Sequence, residues 1–108
     1  MVDEDQLFEV QVIDESPVAV RLVLKGDLDL ASAPQLDAHV AALRPFAAPL
    51  VLDVSRLQFI DSSGLRALTA ARRAAVDDVG AAVQLVGCRR SLNTLLEMTG
   101  LQDAFERV

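Results

Sequence analysis

The chain has few of the residues on which most catalytic and metal sites depend. Its 108 residues include one histidine, one cysteine, no tryptophan and no tyrosine, and its five glycines are scattered singly. One His and one Cys do not make a zinc ligand set, and there is no glycine-rich loop to hold a phosphate group. A nucleophilic serine would have only His39 as its base, and we interpret His39 instead as a solvated helix residue. The sequence therefore predicts no catalytic residue, no bound metal and no cofactor.

Long apolar runs and an excess of positive charge are also missing. No run approaches the roughly 18 residues of a membrane span, and the chain does not open with a signal peptide. Ten basic against 16 acidic residues give a net charge of −6, which argues against nucleic acid as a partner. The single cysteine, Cys88, cannot form an internal disulfide, which agrees with a reducing compartment. We therefore expect a cytoplasmic protein without membrane or nucleic-acid partners.

Hydrophobic residues are abundant, at 52%, which is enough for one folded core. We expect a single domain over residues 1–108, with the acidic residues 1–6 frayed. Alternating polarity predicts strands over 7–13 and 18–24, the second with Val18 facing inward. Because the link between these strands is short, they should pair as an antiparallel hairpin.

The remainder of the chain alternates helical and strand patterns. Apolar positions spaced three and four apart predict three helices, and short apolar runs predict two further strands. The predicted helices cover 33–44, 64–79 and 90–98, and the strands cover 49–54 and 81–86. Strands joined through helices should lie parallel. The predicted fold class is therefore α/β: a single-domain mixed β-sheet, with an N-terminal antiparallel hairpin followed by β-α-β-α-β-α with parallel crossovers.

Capping preferences predict details of the helix ends. Ser32 and Gln35 match a capping box at the start of the first helix. Gly80 occupies the position of a left-handed C-cap after the second helix. Asp77 and Asp78, near that same end, oppose the helix dipole, and the sequence offers no explanation for them.

The stretch Asp61-Ser62-Ser63-Gly64-Leu65 opens the second predicted helix. Asp or Ser before a helix is typical of an N-cap, so simple capping is one interpretation of the stretch. One cap needs one such residue, however, and here there are three in succession. The extra hydroxyls would lie where the positive end of the helix dipole favours an added anion. The second interpretation is therefore that one of the two serines is phosphorylated.

A second polar motif, Gly26-Asp27-Leu28-Asp29, is predicted to close the second strand. A predicted loop over 55–61 leads from the third strand to the serine motif. Parallel strands share one edge at their carboxyl ends, where such sheets commonly carry ligands and switches. We expect the two motifs to be neighbours at that edge. Asp27 and Asp29 are interpreted either as turn or capping residues or as part of this site.

These motifs, in this order and spacing, resemble the anti-sigma factor antagonist group of STAS domains. The likeness rests on residues 26–29, 52–59, 61–65 and 95–101. It extends along nearly the whole chain and implies the STAS fold. Arg90 departs from the pattern, because many members have proline after a serine at that place.

The resemblance implies a role in partner switching. Unphosphorylated, the domain would bind an anti-sigma factor, itself a serine kinase of the histidine-kinase-type ATPase fold, and so release a sigma factor. That kinase would phosphorylate Ser63, and a serine phosphatase would restore the active form. Asp29 matches the family aspartate that contacts the kinase. The partner-binding residues implied by the resemblance are Asp27, Asp29, Asp61, Ser62, Gly64 and Leu65.

The main alternative is a STAS scaffold or accessory subunit, either of a stress-sensing complex or of a transporter ATPase. The intact Ser62-Ser63 pair favours the antagonist over this alternative. An enzyme would need a base or a metal site for which the sequence offers no residues.

Overall fold

A computed structural model describes residues 7–108, and the predicted fraying of residues 1–6 lies outside the described residues. The structure is a five-stranded mixed sheet whose strands lie side by side in chain order. Three helices connect or follow the parallel strands. The elements are β1 (Glu9–Glu15), β2 (Val20–Leu28), α1 (Ala33–Leu43), β3 (Leu50–Ile60), α2 (Ser62–Val79), β4 (Gln84–Val86), α3 (Arg90–Met98) and β5 (Glu106–Arg107).

The order and direction of the strands confirm the predicted fold class. β1 is antiparallel to β2, and the pairs β2–β3, β3–β4 and β4–β5 are all parallel. The inward position predicted for Val18 is wrong, since its side chain is 81% exposed. Val18 lies in the hairpin turn, where the hydroxyl of Ser16 accepts hydrogen bonds from the backbone N–H groups of Val18 and Ala19. β2 therefore begins only at Val20.

The third strand is longer than local polarity predicts. Residues 55–60, predicted as a loop, continue β3, and residues 26–28, predicted to close the second strand, continue β2. The two extensions pair with each other, from Lys25 opposite Arg56 to Leu28 opposite Ile60, with two irregularities in register. Each extension supplies the hydrogen-bond partners of the other, which a local pattern does not reveal.

The core consists mainly of leucine side chains between the sheet and the helices. Phe105 is buried, and Leu101 packs partly buried against the same cluster. No helix within residues 7–108 combines the length and apolar character needed to cross a membrane. The fully buried large side chains are Leu22, Leu24, Leu28, Leu36, Leu50, Leu52, Val54, Leu68, Val83, Leu85 and Leu96.

The end of α2 confirms one prediction and explains an anomaly. Gly80 adopts the predicted left-handed conformation, with φ of 73°. Asp78, which opposes the helix dipole, forms an ion pair with Arg44 at 2.8 Å and accepts a hydrogen bond from the N–H of Phe46 at 2.9 Å. The hydrogen bond from Arg44, followed by that from Phe46, lowers the pKa of Asp78 from 3.8 to about 2. Asp78 thus ties α2 to the loop after α1.

We expect the variant Asp78→Asn to have a lower midpoint temperature of unfolding at neutral pH than the wild type. A carboxylate whose pKa falls on folding stabilises the protein above its unfolded pKa, and this contribution is lost as the pH drops through the folded value. The difference in midpoint should therefore shrink as the pH is lowered from about 4 to about 2, followed by circular dichroism. The exposed neighbour Asp77, changed to Asn, is the control. A difference that stayed constant down to the lowest pH would contradict the assigned role.

Candidate functional site

The two polar motifs meet at the carboxyl ends of β2 and β3. Leu28 is opposite Ile60 in the parallel ladder, and the N–H of Asp61 donates to the carbonyl oxygen of Leu28 at 3.3 Å. The acidic turn after β2 and the serine motif after β3 therefore lie side by side. This confirms the expectation that they are neighbours.

Asp61 is the residue that caps α2. Its Oδ1 accepts a hydrogen bond from the N–H of Gly64 at 2.9 Å, and its carbonyl oxygen accepts the N–H of Leu65 at 2.9 Å. Ser62 and Ser63 are then the first two helical residues, and neither hydroxyl is needed for the cap. Ser62 is exposed and Ser63 is half-buried. Both hydroxyls sit in the first helical turn, where the helix dipole favours negative charge.

Gly64 allows the start of α2 to approach the end of β2 closely. A Cβ atom at this position would lie 2.2 Å from the carbonyl oxygen of Leu28 and 2.8 Å from a side-chain carbon of Ile60. The first distance involves a backbone atom of the sheet, so the clash cannot be relieved by turning a side chain. Gly64 and Leu65 are both buried. Gly64 and Leu65 therefore contribute to the site by shaping the backbone beneath the two serines, and not through exposed side chains.

The acidic turn is held by Asp29 and Ser32. Oδ1 of Asp29 accepts the N–H groups of Ala31 and Ser32, each at 3.1 Å. The hydroxyl of Ser32 donates to the carbonyl oxygen of Asp27 at 2.6 Å and accepts the N–H of Asp29 at 2.9 Å. The predicted capping box is therefore wrong, because the Ser32 hydroxyl turns back into the loop instead of bonding to the N–H of Gln35. Asp29 is a turn residue, as one interpretation held, and Asp27 is the half-buried penultimate residue of β2.

Two exposed apolar side chains accompany the carboxylates. Leu30, at the tip of the acidic turn, is 76% exposed, and Phe59, opposite Asp27 in the ladder, is 52% exposed. Leu30 is not among the site residues predicted from the sequence. The sequence feature that could have identified it is a large apolar residue within a polar turn, where no core position is available. Exposed apolar residues beside polar groups are typical of protein interaction sites.

The chemistry available at this edge is that of binding and of an accessible hydroxyl. Within the described part of the chain, no three His, Cys, Asp or Glu side chains are grouped so that they could hold a metal ion. Nδ1 of His39 is within 2.8 Å of the carbonyl oxygen of Gln35 on the exposed side of α1. The edge therefore combines three carboxylates, two hydroxyls and two exposed apolar side chains.

Comparisons with known proteins agree with this description. A family model described as "Mlab, STAS domain" matches residues 12–106. A search of curated proteins gave no match. Among solved structures, an anti-sigma factor antagonist from Mycobacterium paratuberculosis is 23% identical, with a TM-score of 0.80 over 98% of this chain and 89% of that one.

Two further solved structures show how widely this fold is used. The phosphorylated form of the Bacillus cell fate determinant SpoIIAA is 19% identical, with a TM-score of 0.68 over 94% of this chain and 91% of that one. A sulfate transporter family protein from Wolinella succinogenes is 20% identical, with a TM-score of 0.66 over 80% of this chain and 70% of that one. These likenesses establish the fold of the chain.

We expect Gly64→Ala to destabilise the protein by about 1–3 kcal/mol, because the added methyl group has no space against the end of β2. Helix propensity alone predicts the opposite sign, a gain of about 1 kcal/mol for replacing a helical Gly with Ala. The free energy of unfolding from urea denaturation distinguishes the two. Ala70→Gly, on the exposed side of α2, measures the propensity effect by itself. A Gly64→Ala variant more stable than the wild type would show that the contact is not restrictive.

Proposed function

The chain belongs to the STAS domain family, and from this membership we propose that it is an anti-sigma factor antagonist. In its unphosphorylated form it binds an anti-sigma factor, which is a serine kinase of the histidine-kinase-type ATPase fold, and the sigma factor is released. Phosphorylation of Ser63 ends the binding, and a serine phosphatase restores it. Anti-sigma factor antagonists among the structural neighbours support this proposal.

The observation that carries the proposal is the position of Ser63 in the first turn of a helix that another residue already caps. Asp61 makes the capping hydrogen bond, so the hydroxyl of Ser63 is free of that structural task. The free N-terminal amides and the dipole of α2 offset the charge of a phosphate group there. Modification of Ser63 is thus compatible with an unchanged fold.

The same position makes the phosphate unfavourable in a complex. A phosphate adds about −1.5 to −2 charge, and binding would remove water from it beside Asp61 and the neighbouring acidic turn. A thousandfold loss of affinity corresponds to about 4 kcal/mol. Burying a poorly paired charge costs several kcal/mol, so local repulsion and desolvation are sufficient for the switch.

The partner-binding residues divide by their exposure. Asp27, Asp29 and Asp61 present carboxylates at the edge, and Ser62 is exposed beside them. Asp29 uses Oδ1 for the turn, and its Oδ2 forms no hydrogen bond with another residue of the range 7–108. We propose that Oδ2 of Asp29 accepts a hydrogen bond from a basic group of the kinase. Gly64 and Leu65 are buried and act indirectly, by fixing the backbone of the first turn of α2.

A STAS scaffold or accessory subunit remains the second candidate. The observation that favours it is the likeness to the sulfate transporter family protein, together with the description of the matching family model. In this role the chain would bind a stress-sensing assembly or a transporter ATPase. Failure of every candidate kinase to modify the serines would favour it over the antagonist.

We expect one phosphate on Ser63 when the protein is incubated with ATP and the correct anti-sigma kinase encoded in the same genome. Intact-mass and peptide mass spectrometry measure both the number and the position of the modification. Ser63→Ala should lower the initial rate of phosphorylation at least about a hundredfold, because the methyl group of alanine cannot accept phosphate. Ser62→Ala, one residue earlier in the same turn, should still be modified once. Phosphate on Ser62 in the wild type would contradict the assignment.

Phosphorylated protein should bind this kinase about a thousandfold more weakly than unmodified protein, by the charge argument above. Ser63→Asp should reproduce part of that loss, since it adds one negative charge at the same place. Isothermal titration calorimetry with the nucleotide-bound kinase measures both. Ala47→Asp adds the same charge at an exposed position before β3, at the opposite end of the strand from the serine motif, and should bind like the wild type. Equal affinity of phosphorylated and unmodified protein would exclude the electrostatic mechanism.

A further inference from the structure

Phe59, whose side chain is exposed, lies between Asp27 of β2 and the start of α3, where two arginines follow each other. On one side, Phe59 is opposite Asp27 in the β2–β3 ladder. On the other side, Phe59 lines a small void of about 10 Å³ together with Arg89 and Ser91, where α3 begins. Arg90 is the first residue of α3 and follows Arg89 directly. The carboxylate edge described above therefore continues, across an aromatic side chain, into a pair of arginines.

These two arginines are available to a partner. Both are exposed. The ion pairs of the described residues join Arg44 to Asp78 and Arg66 to Asp37, and neither Arg89 nor Arg90 takes part in them. Adjacent exposed arginines are notable in a chain with 16 acidic and 10 basic residues.

We infer that Phe59, Arg89 and Arg90 form the second half of the partner-binding surface and select a kinase that carries carboxylates next to an apolar pocket. This inference rests on the proposed function. The ring of Phe59 would fill the pocket and act as a buried anchor, and each guanidinium can bind a carboxylate through two hydrogen bonds. A partner then needs basic groups for Asp27 and Asp29 and acidic groups for the arginines. Only one orientation satisfies both.

The opposite charges at the two ends of this surface should also affect the rate of association with the kinase. Charges at the rim of an interface act mainly on the association rate and on its dependence on salt. Reversing the arginines should slow association while leaving the chemistry at Ser63 unchanged. Truncating the aromatic anchor should instead weaken binding at every salt concentration, because apolar burial is not screened by ions.

The probe is the nucleotide-bound kinase that modifies Ser63. We expect Arg90→Glu, and likewise Arg89→Glu, to lower the association rate about tenfold at low ionic strength and to raise the KM for the protein substrate. The value of kcat should stay unchanged, and the effect should diminish as salt is added. Arg90→Lys keeps the charge and should retain most of the rate. Phe59→Ala should weaken binding about tenfold without changing the salt dependence.

The matched control is Arg73→Glu, an exposed helical arginine about 16 Å along α2 from Ser62. It changes the net charge by the same amount. At about 0.1 M salt, where the Debye length is about 10 Å, it should leave the association rate within about twofold of the wild type, and the arginine variants are compared with it at that salt concentration. Circular dichroism of each variant verifies that the fold is intact.

The outcomes separate this inference from the proposed function. Slower association for Arg89→Glu and Arg90→Glu, with Arg73→Glu near the wild type, supports it. If Ser63 is modified with the same KM and association rate in the wild type and in both reversed variants, this inference is overturned and the proposed function stands. Equal loss in Arg73→Glu also overturns it, because the effect would then be one of net charge. If no kinase modifies Ser63, the proposed function fails and this inference fails with it.

Discussion

The arrangement of the candidate site depends on one close approach, that of the first turn of α2 to the carbonyl oxygen of Leu28. A side chain at position 64 would place its Cβ 2.2 Å from that oxygen, so only glycine permits the contact. The contact holds the serine motif against the strand that carries the acidic turn. Asp61 strengthens the same junction, because its N–H bonds to Leu28 and its carboxylate bonds to Gly64.

The junction also explains how polar residues with similar chemistry take different roles. Asp61 and Asp29 each use one carboxylate oxygen to hold a backbone turn, and Ser32 is buried and bridges the turn before α1. Ser62 and Ser63 carry no such task in the cap. A hydroxyl that does not hold the fold together can be modified at little cost to stability, since no native hydrogen bond has to be broken. This is the physical reason for proposing that one of the surplus hydroxyls at the motif is modified.

Sequence patterns predicted the features that depend on near neighbours. Helical spacing identified α2 and α3, the short link identified the hairpin, and Gly80 identified a left-handed helix end. Patterns failed where the partner is distant in sequence. The extension of β3 to Ile60 exists because β2 continues beside it, and Asp78 near the end of a helix is explained by Arg44. Ser32 matched a capping box, yet its hydroxyl bonds to Asp27, which no spacing rule includes.

The proposed charge switch needs no movement of the backbone, and the packing at the site favours a backbone that stays in place. Leu28 and Leu65, which flank the junction from both elements, are buried in the same core cluster. Rearranging the first turn of α2 would expose Leu65 to water, at a cost of about 1.5–3 kcal/mol for a side chain of this size. Repulsion between a phosphate of about −2 charge and one carboxylate at 4 Å is about 2 kcal/mol in water, and the positive end of the α2 dipole offsets about 1 kcal/mol of it. In the free protein a phosphate on Ser63 would therefore leave the fold in place. Its effect would appear on binding, when the surrounding water is removed.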